Sequence, residues 1–176
     1  MKPLVAWLGA VGAICFLLVM EYSGAVPQHG QYVKFEARGL LREDPQRVDS
    51  VVLTRAGMTR TFTRADARWQ ENGQTLPVVA ASALDTAVKF MHTSEPVRTI
   101  SLEEVKTQDP REFGLAPPQF TVRLTVGGVS ALDAGFGGMN PTGRLNYVGM
   151  IGHKELYLLS HFVVEEWEKV ISSPAR

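Results

Sequence analysis

The chain has 176 residues, 45% of them hydrophobic and 20% charged, a composition of globular rather than disordered protein. Lys plus Arg equals Asp plus Glu at 18 each, so no net field favours nucleic acid or another polyanion. That length holds one ordinary domain, or two very small ones once a leader segment is subtracted. A mild basic excess between Lys34 and Arg68, eight Lys/Arg against five Asp/Glu, is spread over strand-like stretches and reads as a solvated sheet face.

The N-terminal stretch Pro3 to Met20 carries no charge over eighteen residues. As a helix it spans about 27 Å, close to the roughly 30 Å hydrocarbon core of a bilayer, and predicts a transmembrane anchor over 1–23. Lys2 precedes it and Glu21 follows it, so the positive-inside rule sends the remainder of the chain across. A cleavable signal peptide is the rival, with small residues at Ser23, Gly24 and Ala25. The apolar run exceeds the usual 7–15 residues of a signal peptide, which favours an uncleaved signal-anchor. Ala6, Gly9, Ala10 and Ala13 recur at helical spacing as a small-residue stripe suited to packing on another membrane helix. Cys15, the only cysteine, lies inside the run and is expected to be buried in lipid. The rest of the chain can therefore hold neither an internal disulfide nor a thiolate metal site.

Residues 24–30 read as a turn-prone linker, and Gln31 to Arg38 alternates as a first strand. Strands are then predicted over Ser50–Arg55, Met58–Arg64 and Arg68–Gln70, with turns at Ala56-Gly57 and Asn72-Gly73. Ala80, Leu84, Ala87, Val88 and Met91 share one helical face, with Lys89 and His92 suited to the negative end of that helix. Ser101 and Glu104 have capping-box spacing ahead of Asp109-Pro110.

The second half repeats the plan. Strands over Phe120–Val126, Ser130–Phe136, Arg144–Met150 and Glu155–Leu159 precede a helix after Ser160, on which Val163, Trp167, Val170 and Ile171 share a face. Strands followed by a helix, twice, predict an α+β fold. It comprises the anchor, a linker and first strand (24–48), and two small antiparallel-sheet-plus-helix units (49–108 and 109–176), each with its own core. Trp69 and Trp167 are expected to fill those two cores.

Chemistry-bearing patterns are sparse. Gly135-Phe136-Gly137-Gly138 lacks the Gly-Lys-Ser/Thr ending of a phosphate loop and reads as a hairpin or bulge between strands. His29, His92, His153 and His161 form no i, i+4 metal pair, and no G-x-S-x-G nucleophile elbow is present. Glu103-Glu104 and Glu165-Glu166 adjoin in sequence, so on helices they point to different azimuths. No catalytic, cofactor-binding or metal-binding residues and no cofactor are expected.

The segment Asp109 to Val126, DPREFGLAPPQFTVRLTV, resembles the bacterial family catalogued as domain of unknown function 4340, whose members carry a Tyr/Phe-Gly-Leu-x-x-Pro element leading into an alternating strand. Phe113, Gly114, Leu115 and Pro118 match that element. Asn146-Tyr147-Val148 and Leu156-Tyr157-Leu158-Leu159 are similar to the family's paired strands, so the resemblance covers about Asp49 to Val170. It implies an exported domain behind one N-terminal helix, often encoded beside transporter components of the gliding-motility type, and supplies no catalytic residues. In this chain Gly114 would end a helical turn and Pro118 would set the start of a strand.

The expectation is a noncatalytic accessory or scaffolding subunit of a larger bacterial membrane complex, with transporter subunits as candidate partners, lipid around the anchor and no nucleic acid. The chain would be single-pass in the inner membrane, N-terminus cytoplasmic and C-terminal domain periplasmic. The alternative is a periplasmic binding module for a small ligand or cell-wall polymer, with an enzyme a third reading.

Overall fold

The computed structural model of the chain describes residues 2–23, 38–106 and 109–174. The linker over 24–30, the expected strand up to residue 37, His29 and the cleavage position at Ala25 lie outside the described residues; Arg38, its expected last residue, is not in a strand. The chain divides into two compact units, Met1–Glu36 and Ala37–Arg176.

The first unit contains, among the described residues, the helix α1 (Lys2–Tyr22). Among the described residues no helix is long and apolar enough to cross a membrane. This corrects the expected transmembrane signal-anchor, and with it the single-pass inner-membrane localisation and periplasmic placement built on that anchor. Cys15 is exposed on this helix.

The second unit also corrects the expected architecture. Two small sheets with separate cores were predicted, whereas the strands among the described residues all belong to one nine-stranded sheet, in the order β4-β3-β2-β1-β6-β7-β8-β9-β5. The strands are β1 (Val48–Arg55), β2 (Met58–Ala65), β3 (Arg68–Glu71), β4 (Gln74–Thr75), β5 (Arg98–Ile100), β6 (Phe120–Val126), β7 (Val129–Met139), β8 (Leu145–Met150) and β9 (Leu156–Ser160). Every neighbouring pair runs antiparallel. The joint is β1 against β6, with Val51 opposite Leu124 and Leu53 opposite Val122. Separate sheets would have left both of these strands with an unpaired edge; pairing them satisfies the backbone groups and makes one continuous apolar face.

Two-residue turns connect the first four strands and β6 to β7. Ala56-Gly57, Asp66-Ala67, Asn72-Gly73 and Gly127-Gly128 all hold positive φ at both positions. That is the type I′ geometry whose twist matches the flanking strands.

Two helices cover the apolar face: α2 (Val78–Thr93) and α4 (His161–Ser172). Phe90 of α2 meets Phe162 of α4 edge to face, ring centroids 5.0 Å apart. Val51, Leu53, Phe62 and Trp69 from one half of the sheet therefore share a single core with Leu124, Phe136, Val148, Leu84 and Trp167. The two tryptophans fill one core where two were expected. Trp167 is fully buried, and its indole N–H has no hydrogen-bond partner.

Two polar devices fix α4 to the sheet. Arg60 on β2 donates through Nε and Nη2 to both carboxylate oxygens of Glu71 on β3, at 2.6 and 2.8 Å. Its Nη1 donates to the carbonyls of Val170 and Ser173 at 2.9 Å, so one guanidinium also caps the C-terminus of α4. At the other end of the helix, Asn146 donates to the Gly137 carbonyl and its side-chain oxygen lies 2.8 Å from His161 Nδ1. In that arrangement His161 Nδ1 is the donor and the Asn146 amide oxygen the acceptor.

The short helix α3 (Leu102–Val105) carries the predicted capping box. The Glu104 carboxylate accepts from the Ser101 backbone N–H at 3.0 Å and pairs with Arg98 on the sheet edge. The Ser101 backbone bond, followed by the Arg98 charge, holds the Glu104 carboxyl below its ordinary value. A depressed carboxyl contributes stability above the unfolded-state value and loses it as pH falls through the folded-state value. The protection factors of the Glu104 and Val105 amides, corrected for the intrinsic pH dependence of exchange, should therefore fall as pH drops below the ordinary glutamate range. A Glu104→Gln variant should show the lower protection already at neutral pH. Equal exchange in the two proteins at neutral pH would contradict the cap.

Candidate functional site

The face of the sheet opposite the helices is partly covered by the segment that the sequence singled out. Pro110–Phe113 forms a 3₁₀ turn, with the Asp109 side chain accepting from the Arg111 N–H at 2.9 Å at its start. Gly114 ends the turn at φ +66°, a left-handed conformation that glycine adopts without steric cost. Leu115 and Pro118 then bridge to one another just before β6. Gly114 thus ends a helical turn and Pro118 stands just ahead of a strand, the two roles assigned from sequence.

Why β7 and β8 carry glycine becomes clear from what lies over them. The ring of Phe113 packs edge to face on Tyr147 of β8, centroids 4.9 Å apart. A Cβ on Gly137 would stand 2.2 Å from the Phe113 carbonyl oxygen and 3.0 Å from Leu115 Cγ. One on Gly135 would touch Pro118 at 3.3 Å, and one on Gly149 would meet Leu115 at 3.5 Å. The Gly135-Phe136-Gly137-Gly138 stretch is a bulged strand, its register against β8 shifting between Phe136 and Met139. The glycines let the motif segment lie almost on the strand backbone.

Between this segment and the turn after β8 lies an apolar cleft of about 330 Å³. Phe113, Leu115 and Pro118 form one wall, Met150, Ile151 and Leu156 the other, and Gly135 and Gly149 the floor. The lining residues Thr121, Gly135, Gly149 and Leu156 are successive cross-strand partners, so the cleft runs across the strands from β6 to β9, about 14 Å at ordinary strand spacing. No titratable side chain lines it. It can exclude water and accept apolar groups, and the Thr121 hydroxyl is the one polar side-chain group among the described residues that line it.

A second concavity lies on the helix face, beside α2. Two cavities of about 570 and 800 Å³ share Ala67, Asp85 and Lys89. At their meeting point Asp85 Oδ1 accepts from Arg64 Nη2 at 2.7 Å and from Trp69 Nε1 at 2.8 Å, and the Arg64 guanidinium lies 4.3 Å from the Trp69 ring centroid. His92 hydrogen-bonds the Leu41 carbonyl through Nδ1 at 3.0 Å.

Of the residues proposed from sequence, Phe113, Gly114, Leu115 and Pro118 come together as described. In the small-residue stripe, Ala13 is exposed, while the side chains of Ala6, Gly9 and Ala10 lie outside the described residues. Among the described residues, no three His, Cys, Asp or Glu gather where a metal ion could be held. Sequence reasoning missed Met150, Ile151 and Leu156 as cleft walls. The available signal was glycine at outward-facing strand positions, which points to close approach of another backbone. No family model, no curated protein and no solved structure matches this chain.

Proposed function

We propose that the Ala37–Arg176 unit is a noncatalytic accessory domain that binds a partner protein through the cleft beside Phe113 and Leu115. The observation that carries this reading is the cleft itself: preformed, apolar, without titratable groups among the described residues, and floored by glycines over which the Pro110–Pro118 segment is packed. A segment built so closely onto the strand backbone serves shape rather than proton transfer or nucleophilic attack. The occupant is an extended stretch of the partner that sets one or two aliphatic or aromatic side chains across the strands, with exposed Ile151 at the rim.

A photo-crosslinking amino acid placed at Ile151 in the native cell should give one discrete protein adduct. Peptide mapping should find it attached at an apolar residue of the partner. The same group at Val129, an exposed apolar position at the start of β7 outside the cleft, should not give that adduct. Equal adducts from both positions, or no protein adduct from Ile151, would overturn the proposal.

A further inference from the structure

We infer that Asn146 and His161 are positioning residues for the cleft and set its wall from the helix side of the sheet, an inference that rests on the cleft being where the partner docks. Asn146 and Glu71 are the two polar residues buried among the described residues, and Glu71 is held by Arg60. The Asn146 amide instead joins elements that lie on opposite faces of the sheet. Val148 and Asn146 of β8 are buried toward the helices, while Tyr147 between them carries Phe113 on the outer face.

Across from Asn146 the register of β7 shifts, so that Gly137 and Gly138 have no register partner on β8. The Asn146 side chain reaches into that gap and donates through Nδ2 to the Gly137 carbonyl at 3.3 Å. Gly137 is also where the motif segment rests, with the Phe113 carbonyl and the Leu115 side chain standing directly over it. Phe113 and Leu115 are walls of the cleft. The amide therefore pins, from the buried side, the stretch of β7 on which that wall is seated.

Only one orientation of the amide does this. Nδ2 faces Gly137 while Oδ1 faces His161, where it accepts from Nδ1 at 2.8 Å. Turned over, the amide would set its oxygen against the Gly137 carbonyl and its NH2 against the imidazole donor, two unsatisfied contacts in a buried place. His161 is itself fixed as the first residue of α4, its backbone N–H donating to the Arg144 carbonyl at 3.0 Å. The first turn of α4 thus selects the amide orientation that holds the cleft wall on the other face.

The test uses the full chain and reads two quantities. One is the ring-current shift that Phe113 places on the Tyr147 protons, and the other is the yield of the Ile151 crosslink in the native cell. His161→Leu removes the donor at a partly exposed position. The Tyr147 protons should move toward unstacked values and the crosslink yield should fall about fivefold, the worth of one net hydrogen bond. His161→Ala, the second variant without a donor, should behave in the same way. His161→Asn carries an amide nitrogen in the place of Nδ1, can donate to the same oxygen, and should keep both quantities near wild type. Unchanged Tyr147 shifts in both donor-less variants would overturn the inference. Equal changes in His161→Leu and His161→Asn would also overturn it, because a general loosening of α4 would then be the cause. A wild-type chain without an Ile151 adduct would remove the partner-binding reading, whereas the Tyr147 shifts judge the positioning role without reference to any partner.

Discussion

Replacing Arg60 with leucine should lower the unfolding free energy by about 3–5 kcal/mol, the range expected when one partner of a buried ion pair is removed. Glu71 is almost fully buried, at 3% exposure, and loses its bidentate partner in this variant. The C-terminal carbonyls of α4 lose their cap at the same time. Two costs therefore fall on one substitution, in a region where β2, β3 and the end of α4 meet. Denaturant unfolding measures the total. The double variant Arg60→Leu/Glu71→Leu should recover most of the loss, because two apolar residues of suitable volume remove the uncompensated charge. Only the helix-cap share would remain. If the double variant were no more stable than the single one, the guanidinium would be acting through the α4 carbonyls rather than through Glu71.

Gly137→Ala should cost about 2–3 kcal/mol, and its structural consequence should be confined to the motif segment. Gly137 lies in ordinary strand backbone with φ outside the left-handed region, so alanine itself is conformationally acceptable there. The conflict is with the Phe113 carbonyl 2.2 Å from the new methyl group, a backbone atom that can move only if Pro110–Pro118 lifts from the sheet. The Phe113 ring should then leave Tyr147, visible as loss of the ring-current shift on the Tyr147 protons. Amide protection across β1, β6 and β7 should persist. Collapse of protection across the whole sheet would show that the motif segment is part of the folding core instead of a fitted cover.

Local patterns were readable in the sequence wherever they rested on short-range chemistry. The alternation in Met58–Arg64 and Phe120–Val126, the turn dipeptide Asn72-Gly73, the Ser101–Glu104 capping box and the apolar stripes of α2 and α4 each report a constraint within a few residues. The pairing of β1 with β6 depends on residues about seventy positions apart, and alternation in each strand is satisfied equally by two small sheets or by one large one. What decides between them is the removal of two free edges and the sharing of one apolar face by Phe90 and Phe162, which no local window contains. Strand β5 was missed for a related reason: three residues, Arg98–Ile100, are too few for a pattern, and they are ordered by pairing with β9. The N-terminal anchor was inferred from hydropathy alone and did not survive the structure.

The site was half legible for the same physical reason. Phe113, Gly114, Leu115 and Pro118 form a contiguous segment, so a motif could expose them. The opposite wall comes from Met150, Ile151 and Leu156, which reach the motif only through sheet registration. The concavity beside α2 depends on Arg64, Trp69 and Asp85 meeting across a hairpin and a helix, and in sequence each reads as an ordinary surface charge or core aromatic.

The most direct test of the partner-binding cleft is crosslinking from Ile151 in the native cell, compared between the wild-type chain and the Gly137→Ala variant. If the cleft receives the partner, the discrete adduct disappears when the motif segment is lifted, while the sheet stays protected from exchange. An adduct of undiminished yield, in a variant whose Phe113–Tyr147 contact is lost, would contradict the proposed role of this cleft.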